Sequence, residues 1–319
     1  MKLFDRTKLK LKPLAERESK SDLSILIDPS SNPPRINKDE RSKLEEVAFA
    51  IKESKREKAP IVFAFGAHAV KNGLSKIIIS MMKEGYIQHM LVNEAFVIHD
   101  WELAFQGRTE EDVKKYVNEG QFGLWDETGL CLNAAINFGA KNNIGYGQSV
   151  GKMINGEKVS NIKIPHQYKS ISVIGNAYKS DIPISVGVTI GQNIHHTHPG
   201  FSGEATGKAG EIDFLRFVET ISNLERGVYI SIGSAILSPQ IFEKALSMAK
   251  NVNKKLNNYH IYVNDLQPGN WDWSQGEPQK DNPAYYLRFM KTFSRMGGET
   301  RYIEMDNRKF LHNLYYLLK

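Results

Sequence analysis

Three histidines fall within four residues, His195, His196 and His198, inside the segment GQNIHHTHPGFSGEATGKAG (191–210). An imidazole titrates near neutral pH and acts as proton donor, proton acceptor or metal ligand. On an extended chain His196 and His198 would project from the same side. A third ligand drawn from His68, His99, Asp100 or Glu102 would complete a site for a metal-dependent hydrolase or lyase. The competing reading is that these rings order the loop or hydrogen-bond a substrate, with no metal. A second grouping, GNWDWSQGEP (269–278), sets Trp271 and Trp273 around Asp272. Two indole faces and a carboxylate suit a cationic amine, and they suit a subunit interface equally well.

Other chemistries find no support. The glycines of 191–210 allow close backbone approach to a ligand, but Gly203 precedes Gly207-Lys208 by too few residues for a Walker A loop, and alanine follows the lysine. No G-x-G-x-x-G lies between the first apolar strand and its helix, and no G-x-S-x-G turn offers a hydrolase nucleophile. The single cysteine, Cys131, sits among apolar neighbours in DETGLCLNAAINF and reads as core; one cysteine also excludes an intramolecular disulfide framework and fits a reducing, cytoplasmic setting.

These residues need a scaffold, and the apolar periodicity supplies one. Short β-rich runs recur at IVFAF (61–65), IQHMLV (87–92), IPISVGVTI (182–190), GVYISI (227–232), YHIYV (259–263) and TRYIEM (300–305). Helix-period stretches near 72–84, 109–118, 125–139, 168–180, 211–224, 239–251, 281–296 and 306–318 lie between or after them. Such alternation predicts an α/β fold with a mostly parallel six-stranded sheet covered on both faces. The region 93–181 shows helices and no clear strand. Residues 1–59 form a Pro-rich arm (1–37) and an amphipathic helix (38–58), while residues 60–319 form the α/β domain. In open parallel sheets ligands bind beyond the carboxyl ends of the strands. There the chain places Gly66, Ala67 and His68, then Asn93 and Glu94, then Thr189 to His198, then Gly233 and Ser234, then Asn264, Asp265 and Gln267. Polar loops are ordinary one at a time; five at one rim favour a site.

The chain resembles the deoxyhypusine synthase family over residues 61–267. FGAHAVKNGLSKIIISMMKEGYIQHMLVNEA is similar to its first strand–helix–strand unit, SISVIGNAYKSDIPISVGVTIG to the segment entering its central strand, and GVYISIGSAILSPQIFEKAL with YVNDLQ to its catalytic region. The resemblance implies a Rossmann-like fold, a homotetramer, NAD bound without the glycine fingerprint, and aminobutyl transfer from spermidine. It implies an NAD site built from Gly66, Ala67, Asn72, Asn93, Glu94, Thr189, Gly191, Gly233, Ser234, Asn264 and Gln267. Asp100 and Glu102 are expected to move protons or bind an amine, and His198 to act as general acid or base. Substrate contacts are expected from His68, His99, His196, Ser238, Asp265, Trp271, Asp272 and Trp273. Ser238 stands where the family carries its imine-forming lysine, the family's paired acids fall at His99 and Asp100, and Ile190 replaces an expected aspartate. Lys71, Lys179 and Lys208 are the alternative imine formers.

The expected protein is therefore an NAD-dependent enzyme acting on an amine or another small substrate without the lysine imine. The alternatives are the metal enzyme and a non-catalytic ligand-binding homologue. Of the net charge of +6, residues 1–60 contribute +4, with acids interleaved, which is a solvated helix face and not a nucleic-acid stripe. No apolar run spans a bilayer.

Overall fold

The computed structural model describes residues 2–162, 164–252 and 255–319. Each expected apolar run becomes a strand of one sheet: β2 (Ile61–Phe65), β3 (His89–Asn93), β5 (Ile184–Gly187), β6 (Val228–Ile232), β7 (His260–Asp265) and β8 (Glu299–Glu304). β1 (Ser19–Asp22) and β4 (Arg108–Glu111) make a separate two-stranded ribbon. The large sheet runs β5-β3-β2-β6-β7-β8, and every neighbouring pair is parallel. The first strand of this sheet therefore lies inside it, and the chain winds outward to one edge and then to the other, the Rossmann order.

Side chains alternate across a strand, so a sheet covered on both sides needs apolar residues at every position. β2 shows this directly. Ile61, Phe63 and Phe65 enter one core with Leu44, Ile77, Phe96 and Phe310, while Val62 and Ala64 enter the other with Phe217, Phe242 and Phe293. Among the described residues no helix is long and apolar enough to cross a membrane.

The helix Lys38–Arg56 starts at a capping box, in which Asn37 accepts from the Glu40 N–H and Glu40 accepts from the Asn37 N–H. It packs on the helix Asn307–Leu318, with Lys309 reaching Glu40 at 2.6 Å. Leu14 of the arm joins the same core as Phe63.

The region 93–181 does contain a strand. Residues 109–111, expected to start a helix, belong instead to β4 because β1 of the arm pairs with it antiparallel, Ser19 opposite Glu111 and Ser21 opposite Thr109. The helix starts only at Val113, where Asp112 caps it by accepting from the Lys115 N–H. The stretch 72–84 becomes the helix Ser75–Lys83, and Gly73, at φ +79°, separates it from an additional single turn, His68–Lys71.

Candidate active site

The strand order reverses between β2 and β6, so their carboxyl ends open a crevice. Two glycines meet there. A Cβ on Gly66 would overlap the Gly233 carbonyl oxygen, whereas one on Gly233, at φ +55°, would meet no atom within 4 Å. Gly66 thus permits the strand ends to close, and Gly233 turns the chain beside open space. That space is a cavity of about 370 Å³ lined by Gly66, Asn93, Val188, Thr189, Gln192, Gly233, Ser234, Ala235, Ile236, Leu237, Gln240 and Ile241. The helix Leu237–Val252 begins at its wall, where first-turn N–H groups lack intrahelical partners.

The structure brings Gly66, Asn93, Thr189, Gly233 and Ser234 together around this cavity. Asn93 also caps the helix Glu94–Gln106 by accepting from the Phe96 N–H. Other residues expected beside them lie elsewhere. Ala67 starts the one-turn helix, and the Asn72 amide donates to Asn307. The Asn264 amide donates to the carbonyls of Ile303 and Met305, and Gln267 is exposed past β7. His68 is exposed as well. Gln192, among the rim residues expected after β5, lines the cavity too, while Gln240 and the apolar pair Leu237 and Ile241 are lining groups the sequence reading missed. The i, i+3, i+4 spacing of 237, 240 and 241 after the Gly233-Ser234 turn was the available signal.

Glu94 is fully buried and organises the loop after β5. Its Oε2 accepts from the Thr189 N–H at 3.0 Å and the Asn193 amide at 2.8 Å. Its Oε1 lies 2.9 Å from His196 Nε2 and 3.2 Å from His195 Nε2. Burial alone would raise this carboxyl's pKa, but the donors outweigh it and hold it down at about 2.

Glu94, His195 and His196 each offer one ligand atom within 4.8 Å of the others. The hydrogen-bond pattern does not suit a metal. His196 Nδ1 accepts from the N–H groups of Gly191 and Asn193, so its Nε2 carries the proton that Glu94 receives. The expected convergence of His196 and His198 does not occur either, because Ile194–His196 is a 3-10 turn and not an extended strand. His198 instead sits 3.4 Å from Asp126, and its Nδ1 accepts from the Gly200 N–H. Gly191 contributes its backbone N–H to this loop and lies outside the cavity wall.

The two buried acids of the helix Glu94–Gln106 are occupied by protein donors. Asp100 accepts from the Ser172 hydroxyl at 2.5 Å and from the N–H groups of Val173 and Ile174 at 2.7 and 3.1 Å, anchoring the helix Val173–Lys179. Glu102 receives both guanidinium nitrogens of Arg17 at 2.8 and 2.7 Å and the hydroxyls of Thr109 and Thr128. Neither acid lines the cavity at the switch point. Ser238 is buried against the Tyr229 hydroxyl at 2.7 Å. Asp265 closes the turn after β7 by accepting from the Leu266 and Gln267 N–H groups. Trp273 is buried in the core with Trp271 packed against it, contrary to the polar-loop reading, and both line a separate hollow beside β8 together with Asp272.

No family model matches this sequence, and no curated protein does. Solved structures do share its fold. AgrE in a ternary complex with ornithine and NAD+ aligns over 89% of this chain with TM-score 0.53 and 14% identity. ArgZ, an arginine dihydrolase from the ornithine–ammonia cycle in cyanobacteria, aligns over 90% with TM-score 0.50 and 15% identity. A putative LOR/SDH protein from Methanococcus maripaludis S2 aligns over 92% with TM-score 0.51 and 14% identity. The chain spans about a third of the length of ArgZ and AgrE, 33% and 34%, and 73% of the Methanococcus protein. At such identities the shared property is the fold, and the chain is an α/β protein of Rossmann type.

Proposed function

We propose that this chain is an NAD-binding enzyme that acts on a small amine-type substrate. The observation that carries the reading is the convergence of Gly66, Asn93, Thr189, Gly233 and Ser234 on one cavity at the switch point of the sheet. Ser234, Ala235 and Ile236 lead into the helix Leu237–Val252, where the Ser238 N–H is taken by Ser234 and Pro239 has none, so Leu237 and Gln240 are the first-turn residues with N–H groups to offer a pyrophosphate. This explains how the family-like sequence dispenses with a fingerprint after its first strand. The helix that follows β2 is one turn long, and the glycine turn with a long helix behind it comes after β6. NAD held there supplies a hydride acceptor, and Asn93, Thr189 and Gln192 offer side-chain polar groups to orient it. AgrE, whose structure holds ornithine and NAD+, supports both the cofactor and an amine-bearing substrate. The ordered resemblance to deoxyhypusine synthases points the same way. Aminobutyl transfer through a lysine imine is not part of the reading, since no lysine is among the described residues lining the cavity, and Ser238 is buried against Tyr229.

Titrating NAD into nucleotide-free protein by calorimetry tests this. One site per chain is expected, and Thr189→Trp, an exposed wall position whose backbone bond to Glu94 survives, should abolish binding with the melting temperature unchanged. Absence of saturable binding at millimolar NAD, weaker than about −4 kcal/mol, removes the cofactor from the reading.

A further inference from the structure

A second cavity, of about 230 Å³, lies on the other side of Gln192, which lines both. Its polar wall comes from three elements: Arg17 of the arm, His99 and Glu102 of the helix Glu94–Gln106, and Glu110 and Glu111 of β4, with Lys71 at the edge. Ile98, Phe122 and Ile194 form an apolar side.

The charged donors on this wall are already used. Arg17 is committed to Glu102, and Lys71 to Glu110 at 2.8 Å. Two acceptors are not. Glu102 is ionised against Arg17, so Thr109 must donate to it at 2.7 Å, and the Thr109 oxygen must then accept from His99 Nδ1 at 2.7 Å. That chain fixes the proton of His99 on Nδ1 and leaves a lone pair on Nε2. Burial keeps the ring neutral, with its pKa pushed down to about 4. Glu111, only 8% exposed, receives the Trp125 indole N–H at 2.7 Å and the Gly123 N–H, both on Oε2. Among the described residues neither His99 Nε2 nor Glu111 Oε1 has a protein partner, and neither is shut away from solvent.

The backbone supports the same site. Successive side chains of a strand normally face opposite ways, yet Glu110 and Glu111 both line this cavity. Glu110 is left-handed, at φ +68°, a conformation that is strained for a non-glycine residue and breaks the alternation. With Arg17 and Lys71 against three carboxylates and a neutral His99, the wall carries a net charge of −1.

We infer that this cavity receives the cationic head of the substrate, a primary ammonium on a short apolar stem, hydrogen-bonded to His99 Nε2 and Glu111 Oε1. The stem lies along Ile98 and Phe122, and Gln192 stands between it and the cofactor cavity. This rests on the enzymatic reading above, and its test is separable from that of the cofactor.

The probe is 1,4-diaminobutane, with 1-butanol as the uncharged control, titrated with and without NAD. Saturable binding of the diamine but not the alcohol is expected, with a shift of the His99 Nε2 resonance in protein carrying 15N-histidine. Glu111→Gln keeps the acceptor for Trp125 and should weaken diamine binding about ten- to hundredfold. His99→Phe should do likewise, and if it fails to fold, the wild-type resonance decides. No saturable diamine binding at millimolar concentration overturns the inference, as does binding that leaves the His99 resonance and the Glu111→Gln affinity unchanged. Diamine binding without NAD binding keeps this site and removes the cofactor reading; NAD binding alone does the reverse.

Discussion

A buried carboxyl group takes its protonation state from the donors that reach it, and Glu94 and Asp213 sit at opposite ends of that scale. Glu94 is met by donors on both oxygens and stays ionised. Asp213 Oδ2 accepts from the N–H groups of Gly147 and Val186, while Oδ1 is buried with no partner among the described residues. Burial raises its pKa to about 7, with those N–H bonds pulling the other way. The folded pKa exceeds the ordinary value of 3.8, so between about pH 4 and 7 the folded state holds the proton that the unfolded chain releases. Stability from this group is present at low pH and falls as pH rises, by up to about 1.4 kcal/mol per unit. Asp213→Asn preserves the acceptor for both N–H groups. Urea denaturation should show the wild type losing stability relative to this variant from pH 4 to pH 7. Glu94 has the opposite sign, and its contribution is lost only as pH drops from about 4.5 towards 2. At this scale the sequence revealed which residue types were present and little about their partners. Asp100 and Glu102 read as free acids because Ser172 and Arg17 lie 72 and 85 residues away.

Elements followed the sequence where their burial was two-sided and escaped it where it was not. β2 and β6 are buried at every position and stand within a residue of the apolar runs that announced them. β1 and β4 read SKSD and RTEE, with no apolar alternation, and exist because each pairs with the other. No local pattern could disclose that. The ribbon is held by the Arg17–Glu102 pair, both side chains 1% exposed. Removing one member of a buried pair leaves an uncompensated charge, at about 3–5 kcal/mol. Arg17→Met should lower the unfolding free energy by that amount, and limited proteolysis should then cut within the arm before the body. A loss below about 1 kcal/mol with an intact arm would show that strand pairing alone seats the ribbon.

For the molecule as a whole, the strand order brings the glycine after β2 against the glycine after β6. Five of the residues read as a cofactor site converge for that reason. The remainder, such as Asn72 and Asn264, spend their side chains instead on the helix Asn307–Leu318 and on β8 with the residue after it. Close approach at the switch point can be separated from backbone conformation by paired variants. Gly66→Ala should cost about 3 kcal/mol, because a backbone carbonyl stands where the methyl would go. Gly233→Ala should cost about 1–2 kcal/mol, the penalty of a left-handed residue in open space. Equal losses in urea denaturation would contradict the packing argument.

The contact between the helices Lys38–Arg56 and Asn307–Leu318 joins Glu40 to Lys309 across 269 residues. A ribosome adds about 5–20 residues per second, so the first of these helices waits on the order of 10–50 s for its partner. Throughout that interval Leu44, Val47 and Ile51 lack the surface that the second helix supplies. During synthesis, this side of the nascent chain is the one a chaperone would meet.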